Sequence, residues 1–378
     1  MAKRGSFFDN FVFNFNLLAA LILLLTYTSS FLNPQVFWPV ALLGLGYPYA
    51  LMLNIIFIFY WFLKKKTYML LSIITIASGW TVFQYSVGLH ILPPENTFNE
   101  QQKVKVMSYN VRNFDLYNWS ENKNARNNMM QLIKDENADI ICFQEFYTED
   151  SGDFHNIKLL VNELGYSHHY FEKTFTLRQK DHWGLAIFSR FPIAKQEKIS
   201  FENTKNNLFI YTDIEVAENK TLRVFNAHLQ SIFLGKKDLA YVKSLTETKS
   251  KTDKDKPATD HLEASKSIII KLRDAYIKRS IQAETLAKLI SDSPYDVVVC
   301  GDFNDTPASY TYRVVKKQVC DAFLENSFGL GGTYGGLKPL LPFRIDYILH
   351  SPNLKSHDFN IIPKNYSDHY PVSCEVYW

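Results

Sequence analysis

Val297-Val298-Val299-Cys300-Gly301-Asp302-Phe303-Asn304-Asp305 is the stretch on which the reading of this 378-residue chain turns. Its first four residues are small or β-branched and apolar, the composition of a strand buried on both faces. The run ends abruptly in an acid and an amide, groups that are costly to bury unless paired or bound to a cation. The same design recurs through the rest of the chain. Val104–Tyr109 runs into Asn110-Val111-Arg112, and Ile140–Gln144 into Glu145. Leu222–His228 carries Asn226-Ala227-His228-Leu229 at its end, and Arg344-Ile345-Asp346-Tyr347 opens the strand Ile345–Leu349. Ser367-Asp368-His369-Tyr370-Pro371 precedes a strand at Val372–Tyr377.

Taken singly, each of these groups has a plain structural reading. Glu145 can cap a helix, Asn110 can make a turn, and His228 can sit satisfied in a core. Together, four carboxylates, two amides and two histidines at strand ends point to one shared site, because neighbouring carboxylates repel unless a cation or a proton relieves them. Further strands are expected at Leu185–Phe188 and Leu208–Ile214, and helices at Asn127–Lys134, His155–Leu164 and Ser267–Ile290. That mixture makes an α/β domain. Arg279 and Gln282, on the last helix, read as packing or surface groups. Asp181-His182-Trp183 and Thr333-Tyr334-Gly335-Gly336 read as lining the mouth of the site. Four cysteines make no disulfide framework, and Cys142 and Cys300 read as buried free thiols.

In this order and at these separations, the six motifs around Asn110, Glu145, His228, Asp302, Asp346 and His369 resemble the endonuclease/exonuclease/phosphatase superfamily, the DNase-like fold, over residues 103–378. The resemblance implies a four-layer α/β/β/α sandwich of two mixed sheets with a metal site at one end. It implies Glu145 as principal ligand of a divalent ion, with Asn110 beside it, either ligating or holding Glu145, and Asp368 as a further ligand. Oxygen donors and a phosphate substrate suit Mg²⁺, with Mn²⁺ or Ca²⁺ as substitutes. His369, oriented by Asp346, is implied as general base or phosphate contact, and Asp302 as the group that positions or deprotonates the attacking water. Asn304 is implied to hold a phosphate oxygen and His228 to donate to the phosphate or the leaving group. Arg112 is a candidate phosphate contact. The implied reaction is hydrolysis of a phosphodiester, in nucleic acid or a lipid headgroup, by metal-assisted attack of water. A phosphomonoesterase on a small ligand and a non-catalytic binding module are the alternatives. Abasic-site endonucleases usually carry tyrosine at the place of His228, which points away from that branch.

The N-terminal quarter is a different material. Residues 1–92 carry five basic side chains and one acidic one, and Asn10 to Leu63 contains no charge at all. One bilayer crossing needs about 20 apolar residues, so three transmembrane helices are expected near Phe11–Leu32, Phe37–Leu63 and Tyr68–Leu92. Residues 1–92 thus form a membrane anchor and 93–102 a linker, before the catalytic domain. Lys3, Arg4 and Lys64-Lys65-Lys66 mark the cytoplasmic side of a multi-pass protein in the inner or plasma membrane, which puts the catalytic domain on the exoplasmic face. The overall charge of +3 is therefore an anchoring signal, since the remaining 286 residues carry 36 basic and 37 acidic groups. A near-neutral domain lacks the broad positive field of a tight duplex binder. The expected partners are a phosphate-ester substrate and the bilayer, with no obligate protein partner. Lys236–Lys256, poor in large apolar groups, is expected to be a mobile loop.

Overall fold

The computed structural model describes residues 7–91, 102–202, 204, 206–232, 258–336 and 343–378, the side chains of 258–264 excepted. The expected linker, apart from Gln102, and the expected Lys236–Lys256 loop lie outside them.

Two six-stranded sheets form the centre of the α/β domain. The first runs β13 (Lys355–Ile361), β14 (Val372–Tyr377), β2 (Lys103–Asn110), β3 (Ile140–Glu149), β5 (Asp181–Ser189), β4 (His168–Leu177). The second runs β10 (Cys320–Asp321), β12 (Asp346–His350), β9 (Asp296–Asp302), β8 (Lys220–His228), β7 (Phe209–Ala217), β6 (Ile193–Ile199). A two-stranded pair, β1 (Gly88–Leu89) with β11 (Phe328–Gly329), stands apart. In each large sheet one central pair is parallel, β2 with β3 and β8 with β9, and the other pairs are antiparallel.

The alternation of side chains along each strand explains why these strands read as continuous apolar runs. Val104, Val106, Ile140 and Cys142 point between the sheets, against Ile210, Val224, Val298, Cys300 and Ile348. Their neighbours Met107, Tyr109, Ile141 and Phe143 point outward and are covered by Met129 and Ile133 of the helix Ala125–Glu136. On the opposite side Val297, Val299 and Phe225 are covered by Ala283 and Leu286 of the long helix Ala258–Ser291. Four layers follow from that double-faced burial. One polar link crosses the apolar middle: Gln144 Nε2 donates to Asn226 Oδ1 at 2.7 Å, while Asn226 Nδ2 meets the carbonyls of Phe143 and Ala186 at 2.9 Å each.

The strands that composition missed are edges. β4, β6 and β13 each have one neighbour, and β6 reads Ile-Ala-Lys-Gln-Glu-Lys-Ile, the charged dress that protects an exposed edge from further pairing.

The N-terminal residues form two long apolar helices, Phe7–Phe31 and Ala41–Lys64, joined through the short helices Pro34–Phe37 and Trp38–Val40. By length and composition both are candidate membrane spans. The third expected helix is not continuous. It breaks at Gly79 into Met69–Ser78 and Trp80–Ser86, and the pair including Lys66–Tyr68 bends by 73°. At the break the Tyr27 ring fills the place of a side chain at Gly79, 2.0 Å from where a Cβ would stand. The three segments are tied by Asn16, whose amide donates to Ser72 Oγ at 2.7 Å and accepts from Trp61 Nε1 at 3.1 Å.

Candidate active site

The site lies where the two sheets end together. In the parallel pairs, Asn110 stands beside Gln144 where β2 and its ladder with β3 end, and His228 beside Asp302 at the end of β8 and β9. Antiparallel pairing then puts Asp346, the first residue of β12, opposite Asp302. Backbone irregularities aim the side chains. The β3–β5 ladder shifts register between Phe143 and Phe146, and Glu145 within that bulge has φ 49°. Bulges of this kind re-aim a side chain at a strand end. Gly301 has φ 147°, and a Cβ there would lie 2.0 Å from the Ala227 carbonyl oxygen, so only glycine lets the two parallel strands meet beside Asp302.

Asn110 joins the halves. Its Nδ2 donates to Asp302 Oδ2 at 3.1 Å and, more weakly, to Glu145 Oε1 at 3.4 Å. Its Oδ1 accepts the Arg112 N–H at 3.1 Å, so the oxygen faces its own turn and the amide holds the two carboxylates. Asp302 Oδ1 accepts the Asn304 N–H at 2.8 Å, which fixes Asn304 in its left-handed conformation of φ 53°. Asn304 Nδ2 donates to the Leu229 carbonyl at 3.1 Å. Both oxygens of Asp346 lie 3.0–3.1 Å from His369 Nδ1, and His369 Nε2 lies 3.7 Å from Asp302 Oδ2. His228 Nε2 is 3.8 Å from Asp302 Oδ2 and 3.9 Å from Glu145 Oε1, and among the described residues neither of its ring nitrogens has a hydrogen-bond partner although the residue is buried. Arg112 pairs with Asp368 at 3.4 Å and lies over the Trp119 ring. All nine expected site residues therefore come together.

Electrostatics separate the groups. Burial pushes the Asp302 carboxyl up to about 6, opposed by His369 and His228. Burial and then the nearby Asp368 raise Glu145 above the ordinary carboxylate range. Burial alone would lower His369, yet Asp346 and Asp302 outweigh it and hold the imidazole well above its usual range. His228, buried and less strongly paired, is pushed down. One histidine is thus biased charged and the other neutral.

A divalent cation fits this donor set. The ligand atoms of Asp302, Asp346 and His369 lie within 4.8 Å of one another, and beside them burial and the neighbouring Asp368 carboxylate raise the proton affinity of Glu145. Carboxylate oxygen is the donor that hard divalent ions take.

Two clefts flank the group. One, of about 630 Å³, is lined by Glu145 and His228 together with Trp119, Trp183, Thr174 and Gln230. The other, of about 340 Å³, is lined by Arg112, Asp368, Gly335, Gly336 and Tyr370. Trp183 and the glycine loop thus take the places expected of them at the mouth. His182 instead is buried against Asp150 and Thr176.

Three residues support the site through contacts that the sequence reading did not assign to them. Arg279 is not a surface group: it is 1% exposed, donates to the Asn304 carbonyl and lies 3.6 Å from Asp305. Thr333 Oγ1 accepts the N–H groups of Ile345 and Asp346 at 3.1 Å each. Tyr334 packs its ring 4.8 Å from that of His369. The placing of Thr333-Tyr334 at the mouth was a partial signal for the last two, whereas a lone arginine on a helix carries none.

Comparison with known proteins agrees with the geometry. Residues 9–86 match a domain of unknown function, DUF8431. No curated protein sequence matches the chain. Among solved structures, an endonuclease/exonuclease/phosphatase from Beutenbergia cavernae DSM 12333 is 15% identical, with a TM-score of 0.50 over 73% of this chain and 72% of that one. An endonuclease/exonuclease/phosphatase family protein from Bacteroides thetaiotaomicron is 18% identical, with a TM-score of 0.46 over 72% and 94%. The human Nocturnin catalytic domain with bound sulfate anion is 16% identical, with a TM-score of 0.48 over 74% and 96%. At 15% identity the likeness to the Beutenbergia cavernae structure speaks for the fold alone. The sequence profile described as Endonuclease/Exonuclease/phosphatase family matches residues 107–369, and the chain belongs to that family.

Proposed function

We propose that this protein is a membrane-anchored, divalent-metal-dependent hydrolase of phosphodiesters, acting on nucleic acid or on a lipid headgroup. The observation that carries the reading is the meeting of Glu145, Asp302, Asp346, Asp368, His228 and His369 at the common end of the two sheets. Glu145 and Asp368, with Asn110 steadying Glu145, would hold Mg²⁺, and Mn²⁺ or Ca²⁺ could replace it. The bound ion supplies charge neutralisation on a non-bridging phosphate oxygen. Asp302 orients the attacking water and accepts its proton at Oδ2. Asp346 holds the Nδ1–H of His369, so that the protonated Nε2 faces the phosphate. His228, whose ring nitrogens have no partner among the described residues, meets the phosphate or the leaving oxygen, and Arg112 offers a charged contact at the rim. No covalent nucleophile is required.

The helix arrangement bears on location. The turn between the two long helices touches the catalytic domain, through Asn33 to Glu284 at 2.8 Å, whereas Lys64 lies at the far end of the second helix. With Lys64-Lys65-Lys66 cytoplasmic, the active site is exoplasmic. Protease added to intact cells or spheroplasts should then cut within residues 103–378. Protection of that region would overturn the orientation.

The full chain in detergent should release product from a diester, from duplex or single-stranded DNA, from RNA or from sphingomyelin in Mg²⁺ and not in chelator. Hydrolysis that survives chelation, or that His369→Ala leaves undiminished, refutes the reading. Turnover of monoesters alone makes the protein a phosphomonoesterase.

A further inference from the structure

The loop after β9 has two faces. Asp302 and Asn304 look into the active site, while Thr306 and Ala308 lie against the N-terminal helices. The Ala308 carbonyl accepts hydrogen bonds from Ser29 Oγ at 2.6 Å and Ser30 Oγ at 2.7 Å, and all three residues are buried. Ser29 can also turn to the Thr26 carbonyl at 2.7 Å, the usual recourse of a helical serine. Ser30 is the donor committed to the loop. Gly44, at the start of the second long helix, completes the seat. A Cβ there would stand 2.9 Å from Ser29 Oγ and 3.4 Å from the Ala308 oxygen.

The second catalytic loop is held from the same side. Arg344, two residues before Asp346, donates from Nη2 to the Tyr85 carbonyl at 2.7 Å, and Tyr85 belongs to the bent third segment. Phe343 meets the Tyr49 ring at 6.5 Å. A mere tether needs none of this, since a short linker would keep the enzyme at the membrane without burying serine hydroxyls against a catalytic loop.

We infer that Ser29, Ser30 and Gly44 are positioning residues of the active site: the apolar helices seat the Asp302–Ser309 loop, and through it set Asp302 and Asn304. The inference rests on the hydrolase reading above and adds to it that the anchor is part of the catalytic scaffold. Substituting the serines leaves the Ala308 carbonyl buried without a donor, and the loop relaxes to find one.

The test uses the full chain in lipid nanodiscs, as Ser29→Ala/Ser30→Ala, Gly44→Ala and Ser30→Thr, with two readouts. Amide hydrogen exchange is followed in residues 303–309, with β2 and β3 as internal reference. The values of kcat and KM are taken on the best ester found for the parent. Expected are faster exchange in 303–309 alone and about a tenfold fall in kcat with KM within twofold for the first two variants, while Ser30→Thr, which keeps the hydroxyl, behaves as the parent. Unchanged exchange overturns the inference, as does faster exchange with kcat intact. A parent that hydrolyses no ester refutes the hydrolase reading separately, and the exchange result still decides the seating.

Discussion

Asp321→Ala should be among the most damaging single changes outside the active site. Asp321 and Arg344 are 2% and 3% exposed, with Arg344 Nη1 2.6 Å from Asp321 Oδ2. The same carboxylate accepts the Tyr312 hydroxyl at 2.6 Å, and its other oxygen caps the helix Ala322–Asn326 through the Phe323 N–H at 2.9 Å. Removing one partner of a buried pair costs about 3–5 kcal/mol because the other charge remains buried. The lost cap adds about 1 kcal/mol. For a domain of this size each kcal/mol moves the melting temperature by about 2–4 °C, so a fall of roughly 10–20 °C is expected. Arg344 also grips Tyr85 and leads into Asp346, so activity should fall with stability. The assay is thermal unfolding of the full chain in one detergent at a fixed scan rate, with Asp321→Leu/Arg344→Met beside it. Removing both charges should recover much of the loss. A single variant melting within 3 °C of the parent, or a double variant worse than the single, refutes the reasoning.

The other predictions concern the site. Asp346→Asn takes away the charge that raises His369 and can present an amide N–H to Nδ1, so kcat should drop by about 10²–10⁴ with KM little changed. A loss below threefold refutes the assigned pairing. Asp302→Asn should abolish activity yet stabilise the metal-free protein. With its folded value near 6 against 3.8 for the free group, Asp302 costs stability as pH rises through that window, by roughly 3 kcal/mol in full above it. In chelator the variant should therefore melt several degrees higher at pH 7.5 and equal the parent at pH 3.5. An equal offset at both values of pH overturns the linkage. Arg279→Ala leaves Asp305 buried without its cation and frees the Asn304 carbonyl. Stability should fall by about 3–5 kcal/mol and kcat by more than tenfold, with Arg279→Lys intermediate. A variant with parental melting and kcat refutes the clasp.

Much of this was legible before any coordinates. Period-two burial with both faces covered makes runs such as Val297–Cys300 apolar throughout, and the polar residues at their ends stand out against them. Edge strands β4 and β6 were illegible because an edge must carry charge, and so it resembles a loop. The break of the third helix at Gly79 was illegible because the Tyr27 ring that packs against it lies more than fifty residues away in the chain.

The sequence by itself determined the division into an apolar, basic-ended N-terminal segment and a near-neutral α/β domain, and it marked the eight polar groups and one arginine that the fold brings together. Both follow from local composition, which a linear reading samples directly. Tertiary structure alone decided that Asn110 turns its amide rather than its oxygen to Glu145 and Asp302, that Arg279 is a buried clasp, and that Ser29 and Ser30 bond the back of a catalytic loop. These are pairings between residues far apart in the chain. Their energy comes from orphan donors and acceptors that only the closed fold brings face to face.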